Sequence, residues 1–132
     1  MKLKILILLS IGYSLIACQQ APTTTVTFCE EVDEKGRCKS PAKTFAYGSK
    51  IFVSCHSTAA FAGNAMKGNI YFLNEGEKVY FNYKDFSITP GTKTVHTYIP
   101  FDQFGGKGAF YVEFVDENGE ILGGNDLKIE EE

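Results

Sequence analysis

Thiols, imidazoles and exposed rings are the groups in this chain with the most chemistry to offer, and their spacing narrows what they can do. Cys29 and Cys38 bracket the stretch Glu30 to Arg37, whose Glu34-Lys35-Gly36 centre can turn. Two strands meeting at that turn bring the two sulfurs within reach of a cross-strand disulfide, so Cys29–Cys38 is the expected bond. The pairings Cys29–Cys55 and Cys38–Cys55 stay open: Cys18 stands apart at the end of an apolar run with the form of an export signal, and the three cysteines that remain are an odd count for an oxidising compartment. Cys55 shares a strand phase with Ile51 and Val53, where a free Cys behaves as a small buried hydrophobe.

Cys55, His56, Met66 and His96 are soft and imidazole ligands of the kind copper prefers. Neighbours on a strand point to opposite faces, so Cys55 and His56 cannot easily share an ion. The terminal Cys-His-Met cluster that orders blue-copper proteins is also missing. One core thiol, two surface histidines and a loop methionine form the simpler expectation, with no cofactor. A periplasmic metal or redox carrier using Cys55, His56 and His96 is the alternative. Hydrolysis has two candidate imidazole bases, His56 and His96, and two nearby hydroxyls, Ser54 and Ser57. Strand neighbours do not form a nucleophile and base pair without a strained turn. Gly-x-Ser-x-Gly, the phosphate loop, His-Glu-x-x-His and the calcium loop are all absent from the sequence, so a non-enzymatic chain is expected.

Phe52, Tyr71, Tyr80, Tyr98 and Tyr111 lie on the strand phase opposite the main apolar one. The four tyrosines are therefore a candidate platform for a sugar or a peptide. The competing expectation is that they pair across strands and cover the sheet.

The elements that must position these groups have period two. Ile51, Val53 and Cys55 alternate with Phe52, Ser54 and His56, and Val79, Phe81 and Tyr83 alternate with Lys78, Tyr80 and Asn82. Each pattern predicts a half-buried strand. Strands are expected near Thr23–Phe28, Lys43–Phe45, Lys50–Ser57, Asn69–Leu73, Lys78–Tyr83, Thr94–Ile99, Ala109–Asp116 and Glu120–Ile129. Asn74-Glu75-Gly76 and Asp116-Glu117-Asn118-Gly119 supply hairpin turns. No window predicts a helix. Seven or eight strands in about 105 residues have the number and spacing of a single antiparallel β-sandwich over residues 26–132, with a small barrel as the alternative. The stretch Gly108 to Val112, followed by a hairpin into the last strand, resembles the F–G end of immunoglobulin-like domains. No Trp stands ready for strand C, and Val112 occupies the place of the second Cys of antibody-type domains. Ile51, Val53, Phe72, Phe110 and Val112 are the expected core.

The 132 residues carry 13 Lys+Arg and 16 Asp+Glu, with room for one domain. Residues 1–17 differ from the rest: Lys2 and Lys4 precede an apolar run from Ile5 to Ile16, the form of an export signal. Five of the eight leucines fall there, whereas 17 of the 18 aromatic residues lie beyond it, which leaves a strand-forming remainder. Without Lys2 and Lys4, 11 basic residues face 16 acidic ones, a net charge of about −5 that offers no basic patch for nucleic acid.

Leu15-Ile16-Ala17-Cys18 closes the apolar run and resembles the lipobox of bacterial lipoproteins. The resemblance covers residues 1–18. It implies that Cys18 receives a diacylglyceryl thioether, becomes the mature amino terminus and is acylated on nitrogen with a fatty acid such as palmitate. It also implies attachment to the cell envelope, and Gln19, where an Asp would signal retention at the inner membrane, favours the outer membrane. Residues 18–25 then form the lipidated Cys and a tether. Gln20 to Thr25 has no apolar period and spans about 20 Å at ~3.3 Å per residue. The expectation is a lipid-anchored binding or accessory module, held at the membrane through Cys18, whose partner is an envelope protein or a glycan.

Overall fold

The structure is a computed structural model that describes residues 22–131; the signal, Cys18 and the tether up to Ala21 lie outside the described residues. That span forms nine strands, most of them built on alternating apolar residues: β1 Thr24–Val32, β2 Cys38–Pro41, β3 Thr44–Ala46, β4 Ile51–Ser57, β5 Ala65–Asn74, β6 Glu77–Ser87, β7 Thr94–Ile99, β8 Gly108–Asp116 and β9 Ile121–Glu130. The only helical turn among them is a 3-10 turn at Phe101–Phe104. The strands form two sheets, ordered β2-β1-β4-β7 and β3-β9-β8-β5-β6. The hairpins β5–β6 and β8–β9 stay within the second sheet, while β4 to β5, β6 to β7 and β7 to β8 cross between sheets. This is a sandwich with immunoglobulin-like order, in which β8 and β9 take the F and G places. It is not a closed barrel.

Faces buried by alternation meet in the middle. Phe28, Ile51, Val53 and Ile99 from one sheet pack against Ile70, Phe110, Val112, Phe114 and Leu127 from the other, each 3% exposed or less. Within the second sheet, Gly68 of β5 leaves room for the inward rings of its flanking strands: a Cβ there would stand 3.1 Å from the Phe114 ring of β8 and 3.2 Å from the Phe86 ring of β6. Pairing of Ala65 with Ser87 and of Met66 with Phe86 and Asp116 extends β5 back to Ala65 rather than Asn69, and Met66 lies in the core, 2% exposed, instead of in a loop.

Several other expectations need correction. The four-residue β2 has no apolar alternation and ends in Pro41, so it left no period to find. β3 pairs with β9 in parallel, Thr44 against Lys128 and Ala46 against Glu130, which makes the second sheet mixed. Phe72 faces inward like Ile70 but is 37% exposed where Ile70 is 0%, because it stands near the end of β5, beside the β5–β6 turn. Along β6 the phase itself changes. Ile70 pairs with Asn82 while the next residue, Tyr71, pairs with Tyr80, so Phe81 is the extra residue of a bulge. Val79 therefore faces inward ahead of the bulge and Asn82 and Phe86 after it, while Tyr83 faces outward, not in phase with Val79 as its spacing suggests.

The Cys29–Cys38 disulfide is formed, with a Cα–Cα distance of 5.8 Å, and Cys55 is free and buried. The two pairings through Cys55 are thereby overturned. The turn joining β1 to β2 is held by Asp33, whose Oδ1 accepts the amides of Lys35 at 2.9 Å and Arg37 at 2.8 Å. Arg37 Nε donates to Asp33 Oδ2 at 2.7 Å. The Arg37 amide, with the guanidinium and the Lys35 amide behind it, holds the Asp33 carboxyl below its ordinary pKa. Closing so short a loop stabilises the fold by about 2–3 kcal/mol through the unfolded chain.

Candidate functional site

The candidate platform is divided between two surfaces. Tyr71, Tyr80 and Tyr111 sit side by side on the outer face of the second sheet, aligned by the pairings Tyr71–Tyr80 and Tyr71–Tyr111. Tyr98 lies on the outer face of the first sheet, opposite Phe52. Within the trio, Tyr71 meets Tyr80 edge to face at 5.8 Å and Tyr111 at 6.5 Å. Lys78 Nζ lies 3.8 Å from the Tyr111 ring centroid, so a cation already covers that face. The Tyr71 hydroxyl donates to Glu113 Oε1 at 3.4 Å, and partial burial, followed by the Glu113 charge, raises its pKa. On the other sheet Lys50 Nζ stands 4.6 Å from the Tyr98 centroid and 5.8 Å from that of Phe52. These rings are largely engaged with their neighbours.

Cys55, His56 and His96 are not brought together. β4 turns Cys55 into the core at 0% exposure and His56 outward, where His56 Nδ1 and Thr94 Oγ1 lie 2.8 Å apart. His96 pairs with Ser54, one diagonal step from His56 on the same outer face. Met66 is in the opposite sheet. No group of three or more His, Cys, Asp or Glu residues among those described is arranged to hold a metal ion. Ser57 is buried, and its Oγ accepts the Ala59 amide at 3.3 Å.

Burial pushes the Cys55 thiol up to about 12. At pH 8 the thiolate fraction is then on the order of 10⁻⁴, and the thiolate is the reacting species. Folded protein is expected to leave Cys55 unmodified by an aromatic disulfide reagent at pH 8, with one thiol reacting in guanidinium. Stoichiometric reaction within minutes in the folded state would contradict this placement. The folded pKa lies above the thiol's ordinary value of 9.0. The neutral thiol therefore favours the folded state below pH 9, and this contribution falls as pH rises from 9 toward 12.

A site without a sequence-level signal in the tyrosine phase lies at the end of the sandwich near the 3-10 turn. Phe72, Val79, Tyr80, Phe81, Phe104, Phe110 and the loop Gly105-Gly106-Lys107 line a groove of about 340 Å³. Val79, Tyr80 and Phe81 are about half exposed, at 50%, 55% and 49%. Glycine seats two of the rings. Phe81 occupies the space that a Cβ on Gly105 would need, and a Cβ on Gly108 would lie 2.8 Å from Phe72. Both glycines have positive φ, 74° and 143°, which other residues rarely adopt. Below them Phe110 contacts Phe72 at 5.7 Å and Phe104 at 5.1 Å, both edge to face. The nearest hint in the sequence is Gly105-Gly106-Lys107-Gly108 between two phenylalanines. Comparison of the chain with known protein families and with curated proteins finds no match to either.

Proposed function

We propose that this chain is a lipid-anchored, non-enzymatic protein of the cell envelope, outer membrane rather than inner, whose sandwich serves as a binding or accessory module. Cys18 supplies the anchor, and the groove supplies a surface for an envelope protein or glycan. The observation carrying the binding half is the contiguous exposure of Val79, Tyr80 and Phe81 over the Gly105–Gly108 loop. Contiguous apolar surface of this kind marks interaction sites more often than scattered single residues do.

The two halves fit one another in space. β1 enters the sandwich at Thr24, beside the end of β4 and the start of β9. The groove lies at the opposite end, beside the start of β8 and the β5–β6 turn. A tether ending at Thr24 thus presents the groove away from the bilayer. The carrier alternative loses support, since Cys55 faces the core while His56 and His96 face solvent.

Growth with alkyne-tagged palmitate tests the anchor. The expected result is a labelled chain in outer-membrane fractions that detergent releases and high salt does not. An unlabelled chain in the soluble fraction would overturn the proposal.

A further inference from the structure

We infer that the groove and the free edge of β6 together receive an extended peptide segment of a partner protein, added as a strand to β6 with an apolar side chain seated between Phe72, Val79 and Phe81. The inference rests on the binding-module reading above and names its ligand class.

β6 is the last strand of its sheet and is 11 residues long. One side of it pairs with β5, so its other side presents a row of backbone amides and carbonyls with no strand beside them. Long edges of this kind invite another chain, and proteins usually blunt them. The bulge at Phe81 and the charges of Glu77, Lys78, Lys84 and Asp85 blunt this edge in part, yet it still exposes Val79, Tyr80, Phe81 and Tyr83 and runs directly beside the groove. Strand addition uses that combination: backbone bonds hold the peptide, and a pocket reads alternate side chains. A sugar or an acyl chain would leave the backbone row unused.

The site is also built in advance. The bulge at Phe81 re-aims its ring onto Gly105, and Gly108 fixes Phe72 over Phe110, so the rings need little ordering when a ligand arrives.

In the register centred on the groove residue Phe81, charge along the edge weighs against a second copy of this chain. Two copies of β6 paired antiparallel about Phe81 set Glu77 opposite Asp85 and Lys78 opposite Lys84, like against like at both ends. A foreign strand can answer this pattern with basic residues opposite Glu77 and Asp85 and acidic residues opposite Lys78 and Lys84. The occupant is therefore an extended segment with an apolar residue near its middle and charges complementary to β6.

A display library of random twelve-residue peptides, selected on the folded domain of residues 22–131, tests this. Enriched peptides are expected to alternate apolar and polar residues. Their affinity should fall at least tenfold on Val79→Glu, a substitution at a half-exposed site that leaves the core intact. Methylation of alternate peptide amides in the bound segment should also cost at least tenfold, an effect that a merely hydrophobic contact would not show. Three results would overturn the inference: no enriched peptide that depends on Val79, indifference to amide methylation, or a dimer in sedimentation that Val79→Glu dissolves. A parallel array of bacterial polysaccharides separates the two levels. Glycan binding lost in Val79→Glu sinks the peptide inference and leaves the binding-module reading standing. Silence with peptides, glycans and a second copy alike retires both.

Discussion

Cys18→Ala is expected to produce an unprocessed precursor, with no acylated mature chain in the membrane. The effect should be close to complete, because cleavage of a lipobox precursor follows diacylglyceryl transfer to the Cys sulfur, and Ala has none. Each buried methylene contributes about 0.8 kcal/mol, and a single acyl chain gives only marginal binding, so stable attachment needs the two or more chains that Cys18 would carry. No helix among the described residues is long and apolar enough to cross a membrane. The run from Ile5 to Ile16 is about a dozen residues, against the roughly 20 required for a span. Fractionation with a high-salt wash gives the answer. Mature-sized Cys18→Ala protein retained in the washed membranes would remove the lipid anchor from the argument.

Phe110→Ala should cost the domain about 3–5 kcal/mol, a large part of the 5–15 kcal/mol that typically separates folded from unfolded protein. Phe110 is 2% exposed and holds both Phe72 of β5 and Phe104 of the 3-10 turn edge to face, so its removal leaves a cavity between two separate elements. Such a site collapses poorly. The same change strips the floor from the groove, and any ligand that needs Phe72 should weaken with it. Tyr80→Ala is the contrast: at 55% exposure it should alter stability by about 0.5 kcal/mol or less. Denaturant titration of the two variants distinguishes the cases. A shift below about 1 kcal/mol for Phe110→Ala would mean that Phe72 or Phe104 moves in to fill the space.

The sequence carried the sandwich because its signal is local. Ile51, Val53 and Cys55 alternate cleanly, and the turn at Glu34-Lys35-Gly36 brings Cys29 toward Cys38 without help from distant residues. The fate of Cys55 was legible for the same reason. What alternation cannot encode is a change of phase. The bulge at Phe81 depends on how β5 and β6 pair, and it defeats the period that made Val79, Phe81 and Tyr83 look like one buried face. Phe72 keeps the inward phase of Ile70, yet its exposure depends on where along β5 the packing of the core ends, a property of the assembled sandwich. The groove combines both effects. It joins residues from β5 and β6 to a loop some twenty-five residues further on, and its clearest sequence trace, Gly105-Gly106-Lys107-Gly108, reads equally well as an ordinary turn.

The placement of β1 has a mechanical meaning. Its first residue lies at one end of the sandwich and the groove at the other, separated by about the length of β5, ten residues or roughly 33 Å. Tension between a lipid on Cys18 and a partner held at the groove would run along the strands. β1 is paired with β4 over six consecutive residues, Thr24 to Cys29, and lies antiparallel to it. A pull along that axis loads the whole ladder in shear, so its hydrogen bonds must yield together instead of peeling one at a time. Resistance to such a load is governed by the unfolding rate, not by equilibrium stability. The disulfide from Cys29 to Cys38 sits at the far end of this ladder and locks β2 to β1 where the shearing strand would otherwise slip free.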